Sequence, residues 1–277
     1  MTKDSQKLCL DPNGGLPRLL EIMARLRDRE TGCPWDIEQT YKSIAPYTIE
    51  EAYEVAEAID NADWPELEGE LGDLLLQVVY YTQMGSEDGR FSFDTVVKNI
   101  SDKMINRHPH VFGDESRDKS SAQQVADWEQ IKAAERAKKS QAMPKTLDGV
   151  ALNLPALTRA VKLQNRAARV GFDWPDIAGV TDKISEEVDE LIEANKIKTH
   201  ADQVEEYGDL MFVMANLARH LKIDPEEALR SANKKFQRRF EGVENKLAIM
   251  GKTPMQSNLD ELDELWNAVK RDEKTDV

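Results

Sequence analysis

Sliding the sequence along itself by 136 residues superimposes Glu50, Glu51, Glu54, Glu57, Ala58, Glu70, Gly72, Asp73 and Leu74 on Glu186, Glu187, Glu190, Glu193, Ala194, Glu206, Gly208, Asp209 and Leu210. Nine identities within 25 positions exceed what composition gives, and such a repeat commits the chain to building one supersecondary unit twice. Slightly different offsets bring Lys103 and Arg107 onto Lys235 and Arg239, and Trp128 and Lys132 onto Trp266 and Lys270. Each acidic segment also follows a tryptophan-containing turn, Cys33-Pro34-Trp35-Asp36 in the first copy and Phe172-Asp173-Trp174-Pro175 in the second.

The repeated unit reads as helical. Apolar residues recur at three- and four-residue spacing nearly everywhere, with almost no alternating runs, so the fold class is all-α. Thr48-Ile49-Glu50-Glu51 has the form of a capping box, and Asp224-Pro225-Glu226-Glu227 combines an N-cap, a proline at the first helical position and an acid at the third. These signals place helices at 48–62 and 224–248. Further helices are expected at 17–28, 65–85, 93–106, 121–139, 155–169, 180–197, 201–221 and 258–272. The polar stretch from Gly113 to Ser121 and the segment from Ser140 to Asn153, with Pro144 and Gly149, interrupt the pattern. The expected organisation is therefore two tandem helical-bundle units, 1–139 and 154–277, joined by a linker at 140–153.

Composition narrows the function. Hydrophobic residues make up 40% of the 277 and charged ones 32%, which suits a packed globular chain rather than a disordered one. No uncharged apolar run approaches the roughly 18 residues of a membrane span, and the first residues lead into no signal-peptide core, so no membrane partner and a cytoplasmic location are expected. Cys9 and Cys33 form no Cys-x-x-Cys pair and fit a reducing compartment. A net charge of −15 repels nucleic-acid phosphates, so no nucleic-acid partner is expected. The sequence has no Gly-x-x-x-x-Gly-Lys-Ser/Thr loop, no Gly-x-Gly-x-x-Gly and no His-Glu-x-x-His, which argues against P-loop, Rossmann and zincin chemistry. No histidine follows a glutamate at three residues, which disfavours a di-iron carboxylate bundle. His108 and His110, around Pro109, have metal-compatible spacing but read first as a structural turn closing the first unit.

The acids that recur are arranged for a hard cation. Glu51 and Glu54 are three apart on one predicted helix, as are Glu70 and Asp73 on the next, and a short connection makes the two helices antiparallel neighbours. Four carboxylates could then converge on one Mg²⁺, which prefers oxygen ligands. Glu187, Glu190, Glu206 and Asp209 repeat the set. A single such pattern is also the ordinary look of a solvated helix face, and these acids flank rather than form the apolar stripe. Their recurrence in register while neighbours such as Tyr53 and Asp189 diverge favours the metal.

An acidic metal site suggests a phosphorylated ligand. Lys235 and Arg239, four residues apart, share a helix face and could hold phosphate oxygens, with Asn233 adding an amide contact. Trp266 and Lys270 offer a stacking surface and another cation, although Trp266 on its own reads as core packing. In the first unit Lys103 and Arg107 repeat the basic pair, but Ser101 stands in place of Asn233 and Asn106 in place of Arg238. The charge is also unequal: residues 1–138 carry 16 basic and 27 acidic residues, while residues 139–277 carry 21 and 25, so a polyanion meets less repulsion in the second unit.

Taken together, Gly32-Cys33-Pro34-Trp35-Asp36, Glu50-Glu51-x-x-Glu54, Glu70-Leu71-Gly72-Asp73-Leu74-Leu75, Arg107-His108-Pro109-His110-Val111-Phe112 and the second set, Glu186-Glu187-x-x-Glu190 and Glu206-Tyr207-Gly208-Asp209-Leu210 with Lys235 and Arg239, resemble the MazG-type nucleoside triphosphate pyrophosphohydrolases. These belong to the all-α NTP pyrophosphatase superfamily, and the resemblance covers nearly the whole chain. It implies Mg²⁺-dependent cleavage of NTPs and dNTPs between the α and β phosphates, a homodimer of helical bundles, and a second unit carrying the main activity. On this reading Glu187, Glu190, Glu206 and Asp209 hold the metal, Lys235 and Arg239 stabilise developing phosphate charge, and the expected base is Glu186, also a nucleotide contact, or one of the metal ligands acting through a second water. Asn233, Trp266 and Lys270 complete the nucleotide set. Glu51, Glu54, Glu70, Asp73, Lys103 and Arg107 define a second possible site. No separate base-reading motif is visible, so broad base tolerance is expected. A non-catalytic nucleotide or metal sensor and a purely structural adaptor are the competing classes.

Overall fold

The computed structural model describes residues 3–275, apart from 115, 117, 119, 121–122, 125–126, 129–130 and 132–144. Among the described residues every regular element is helical. The chain divides into two compact units, Met1–Glu135 and Arg136–Val277.

In the first unit α1 (Lys3–Leu10), α2 (Gly15–Leu26) and the short α3 (Pro34–Glu38) precede the long hairpin of α4 (Tyr41–Asp60) and α5 (Trp64–Glu87). The hairpin turns in three residues, with Ala62 at φ 53° and the Asp63 carboxylate accepting from Glu66 N to cap α5. Packed against α5 is α2, and the core between them gathers Met23, Ile44, Val79, Tyr80 and Met84. After the hairpin come α6 (Phe93–Arg107) and the single turn α7 (Pro109–Phe112). A Cβ at Gly85 would meet the Phe91 ring at 2.5 Å, so this glycine lets the chain turn back tightly between α5 and α6.

The second unit repeats the plan. Here α8 (Ala156–Ala168) packs on the hairpin of α9 (Ile177–Ile197) and α10 (His200–Leu221), whose connection is closed by a Thr199–Asp202 capping box. The unit then continues into α11 (Pro225–Ile249) and α12 (Leu259–Thr275), which share a core of Val243, Leu247 and Val269 flanked by Leu262, Leu265 and Trp266. The duplication is visible in what is buried, since Ile44, Ala58, Gln77, Val79 and Tyr80 all lie inside, and so do Val180, Ala194, Val213, Ala215 and Asn216, 136 residues later.

Several expected boundaries move. Helix α4 starts at Tyr41, not at 48, because the true cap is Thr40, whose hydroxyl accepts from Ser43 N while Ser43 Oγ accepts from Thr40 N. Thr48 lies inside the helix, 2.9 Å from the Tyr81 hydroxyl. Pro46 lies in the second turn, and the turn before it is held by the Thr40 cap and the burial of Ile44. Helix α9 begins at Ile177, where the Asp176 carboxylate accepts from two backbone N–H groups. Helix α1 carried no recognisable start signal. The expected helix at 121–139, and Lys132 with it, falls largely outside the described residues. At the His108 turn, Nδ1 pairs with Met104 O at 2.7 Å and the ring lies edge-on to Trp128, 5.1 Å between centroids.

Candidate functional site

The α9–α10 hairpin brings oxygens of Glu187, Glu190 and Glu206 within 4.8 Å of one another. Glu187 is 4% exposed and so belongs to the interior of the hairpin, not to its flank as the helical wheel suggests. Only a carboxylate with a cation beside it tolerates such a place, and Lys183 Nζ lies 2.8 Å from Glu187 Oε1 and 2.9 Å from Glu186 Oε1. Hydrogen bonds to Glu187 first, and then to Glu186, push the Lys183 ammonium above its usual range. The other oxygen, Glu187 Oε2, is buried without a hydrogen-bond partner. An orphaned carboxylate oxygen at the centre of an all-oxygen donor set fits a hard divalent cation. Lys198, at the end of α9, lies 2.9 Å from Glu206 Oε1, and that hydrogen bond raises it in turn. Asp209 stands one turn beyond Glu206 on α10, exposed and outside the group of three. Neither lysine is singled out by the sequence reading, although the i, i+3 and i, i+4 spacing of Lys183 with Glu186 and Glu187 is a signal that could have found it.

The first unit builds a similar cradle from Glu51, Glu70 and Asp73, again within 4.8 Å, with Glu54 outside that group. Among the described residues no lysine is paired with these acids, and the acids feel one another. Desolvation first, then the charges of Asp73 and Glu54, raise the Glu51 carboxyl above its ordinary range; desolvation, Glu54 and Glu66 do the same to Glu70. Lys103 is exposed on α6, and the carbonyl of Arg107 accepts from Trp128 Nε1 at 2.9 Å.

The basic candidates of the second unit form their own cluster on α11 and α12. Arg239 Nε donates to Glu273 Oε2 at 2.8 Å, and Arg238 binds the other oxygen of the same carboxylate at 2.9 Å. These two arginines hold the Glu273 carboxyl below its usual range. The Arg239 guanidinium sits 5.9 Å from the Trp266 ring centroid, and Phe236 packs on the same indole at 5.3 Å. Asn233 and Lys235 are exposed and Lys270 is half-buried. Among the described residues, no hydrogen bond or ion pair joins Lys235, Arg239 or Lys270 to the carboxylates of α9 and α10.

Two helical hairpins, each bringing three carboxylates within 4.8 Å of one another, define an all-α protein with two acidic clusters that could hold a metal ion. Comparison with known proteins gives the family. A model described as the MazG nucleotide pyrophosphohydrolase domain matches residues 39–112, and one described as phosphoribosyl-ATP pyrophosphohydrolase matches residues 157–236. The chain is 52% identical over 260 residues to the nucleoside triphosphate pyrophosphohydrolase of Escherichia coli strain K12, covering 93% of this chain and 98% of that protein. It is 42% identical over 257 residues to the nucleoside triphosphate pyrophosphohydrolase/pyrophosphatase MazG of Thermotoga maritima, covering 93% and 96%. A nucleoside triphosphate pyrophosphohydrolase of Mycobacterium tuberculosis is 37% identical over 157 residues, which is 56% of this chain and 46% of that one. The chain belongs to the MazG family of nucleoside triphosphate pyrophosphohydrolases, hydrolases that act on the pyrophosphate bonds of nucleoside triphosphates.

Proposed function

We propose that this enzyme opens the α–β phosphoanhydride of NTPs and dNTPs in a Mg²⁺-dependent reaction, releasing a nucleoside monophosphate and pyrophosphate, and that the second unit, 154–277, does the work. The supporting observation is the buried, unpartnered Glu187 Oε2 beside Glu190 and Glu206. These three residues, with Asp209 one turn further along α10, would hold the ion. When bound, Mg²⁺ supplies neutralisation of phosphate charge. The protein's own groups do the rest. Glu186, exposed at the rim and hydrogen-bonded by Lys183, accepts the proton of the attacking water. As the new P–O bond forms and the bridging P–O bond breaks, Lys235 and Arg239 meet the negative charge leaving with the phosphates, and Arg239 exchanges Glu273 for phosphate oxygens. Asn233, Trp266 and Lys270 add contacts to the nucleotide. The phosphates and metal dominate these contacts, which supports tolerance of different bases.

The first unit, 1–139, keeps its acids but has Ser101 and Asn106 in the places of Asn233 and Arg238, and its role is structural, dimerising or weakly catalytic, with 140–153 as the linker. A second copy is the proposed partner, because both hairpins leave apolar residues exposed, among them Tyr53, Leu71 and Leu75 in one and Ile192, Val204 and Tyr207 in the other. No helix of the described residues is long and apolar enough to cross a membrane, and the cytoplasm is the proposed working place. Product analysis with ATP and dNTPs, with and without Mg²⁺, tests the reading. Monophosphate plus pyrophosphate in the presence of Mg²⁺ supports it, and diphosphate plus phosphate, or binding without turnover, rejects it.

A further inference from the structure

The connection between α9 and α10 sets a cation beside the acidic cluster of the second unit. Lys198 is the first residue past α9, in extended backbone at φ −105° and ψ 177°, and its amide donates to Ala194 O at 3.0 Å. The residue after it is locked as the cap of α10: Thr199 Oγ1 donates to Asp202 Oδ2 at 2.7 Å and accepts from Asp202 N at 3.4 Å. A fixed backbone thus carries a flexible four-carbon stem, which crosses to α10 and sets Nζ 2.9 Å from Glu206 Oε1. The lysine side chain is 36% exposed and the glutamate 16%, so the lysine is the wetter member of the pair.

The cations of this unit differ in how firmly they are held. Lys183 bonds two carboxylates at once, Glu186 and Glu187, and Arg239 bonds Glu273 while lying over Trp266. Among the described residues Lys198 is ion-paired to Glu206 alone. A pair so exposed is worth little, and a more highly charged anion displaces it. Glu206 is also one of the three acids whose oxygens gather within 4.8 Å, around the unpartnered Glu187 Oε2. With Glu206 given over to a divalent cation, the ammonium loses its anion and needs another. The other copy of the repeat has neither lysine: 136 residues earlier Tyr47 stands for Lys183 and Ala62 for Lys198. Its connection, Asn61-Ala62-Asp63, carries no cation at all.

Resting on the proposed pyrophosphohydrolase reading, we propose that Lys198 is a substrate-binding residue, whose ammonium exchanges the Glu206 carboxylate for a phosphate oxygen of the bound nucleotide. The lysine serves two partners in turn. In the free chain it neutralises Glu206 and eases the repulsion among the three acids; in the complex it meets the polyphosphate. Metal and polyphosphate binding are thereby coupled, because engaging Glu206 releases the lysine. No helix has to move for the exchange, since the stem turns about a backbone that the Thr199 cap holds still. The contact is that of a point charge with phosphate, so it carries no preference among bases. The first unit, with acids but no lysine to hand over, has no equivalent of this step.

The test is calorimetric titration of the full chain with Mg²⁺ alone and, at saturating Mg²⁺, with methylenediphosphonate, a pyrophosphate analogue whose P–C–P bridge is not hydrolysed, beside steady-state turnover of ATP. Lys198→Met keeps the stem, removes the charge and, at an exposed connection, leaves the fold intact. It is expected to bind Mg²⁺ about two- to fivefold more tightly, because Glu206 has no competing partner. It binds methylenediphosphonate about tenfold more weakly, the effect of one hydrogen bond to a charged group, and its KM for ATP rises by the same factor. Lys198→Arg keeps the charge and restores diphosphonate binding. Lys196→Met, at an exposed lysine two residues back, controls for net charge and leaves both affinities at the native level. Unchanged Mg²⁺ affinity in Lys198→Met, diphosphonate affinity untouched by it, or an equal loss in Lys196→Met overturns the proposal. If the native protein binds diphosphonate through Lys198 but turns over no NTP, the lysine's role stands and the hydrolytic reading falls; NTP turnover indifferent to Lys198 does the reverse.

Discussion

Lys183 Nζ lies 2.8 Å from Glu187 Oε1, while the other oxygen of the same carboxylate is buried without a partner. One side of the most deeply buried acid of the hairpin is thus neutralised by its own helix, and the other side keeps a buried, unpartnered oxygen. This division explains how a carboxylate at 4% exposure persists in a core.

Lys183→Met removes the neutralising partner and leaves the acid charged in the interior. In EDTA the variant is expected to lose about 1–2 kcal/mol of stability, the scale of a hydrogen bond to a charged group, reduced because the lysine itself is partly exposed. Mg²⁺ then raises the melting temperature of the variant more than that of the native chain. Equal Mg²⁺ shifts in the two proteins would show that the lysine and the metal do not share the carboxylate.

Glu187→Gln and Asp209→Ala are expected to reduce NTP turnover by about 10²-fold or more, since each removes a charge aimed at the ion. They differ in what else they cost. Asp209 is exposed, so Asp209→Ala keeps the native melting temperature, whereas Glu187 is interior and demands the isosteric Gln to keep the helices packed. Glu51→Gln in the first unit leaves turnover at the native level. Loss of activity in Glu51→Gln alone would move the catalytic assignment to the first unit.

The repeat, the all-α class and the hairpin order were legible because they depend on spacing: a 136-residue shift, and acids three apart on neighbouring helices. Spacing says nothing about depth, which is why Glu187 was read as flanking the stripe; its burial follows from how α9 meets α10 and from Lys183. The start of α4 lies ahead of the Thr48 signal because the Thr40 cap and the packing of Ile44 carry the helix through Pro46. A cavity of about 280 Å³ lined in part by Gln164, Trp174 and Asn216 is invisible in the sequence for a related reason. Its walls come from α8, α10 and the tryptophan turn, segments far apart in sequence, and amides in helices carry no motif.

The like-charged acids of the first unit give a pH dependence. Glu51 and Glu70 have raised carboxyl pKa values in the folded chain, from desolvation first and neighbouring acids second. The folded unit therefore binds these protons more tightly than the unfolded chain does. Their contribution to stability is present below the unfolded carboxyl pKa and is lost as pH rises through the raised value. Acids held low by their hydrogen bonds, such as Asp28 with Thr31, act in the opposite sense, so the comparison must be with a variant. Without metal, Glu51→Gln is expected to melt above the native chain at pH 7 and to lose that advantage as the pH falls toward 4. An advantage that does not change with pH would mean that repulsion is not its source.

Glu273 ties up both Arg238 and Arg239 in the free enzyme. If Arg239 exchanges this carboxylate for phosphate during turnover, Glu273→Gln lowers the KM for ATP by about two- to fivefold, the worth of a partly exposed ion pair, with kcat little changed. A raised KM would instead make Glu273 a positioning residue that presents Arg239 to the substrate.

Tyr80→Phe isolates the hydroxyl that ties α5 to Asp36 of α3 in the first unit. The ring keeps its packing against Met23, Ile44 and Met84, but the Asp36 carboxylate, 9% exposed, loses the donor at 3.0 Å. Arg27 still donates to the Asp36 carbonyl, so the backbone of α3 keeps a partner and only the side-chain oxygen is stranded. A buried acceptor without its donor costs about 1–3 kcal/mol, and the urea midpoint of the first unit should fall accordingly while ATP binding by the second unit is unchanged. An unshifted midpoint would mean that water replaces the phenol at Asp36, and the first unit would then be held closed by the ring alone.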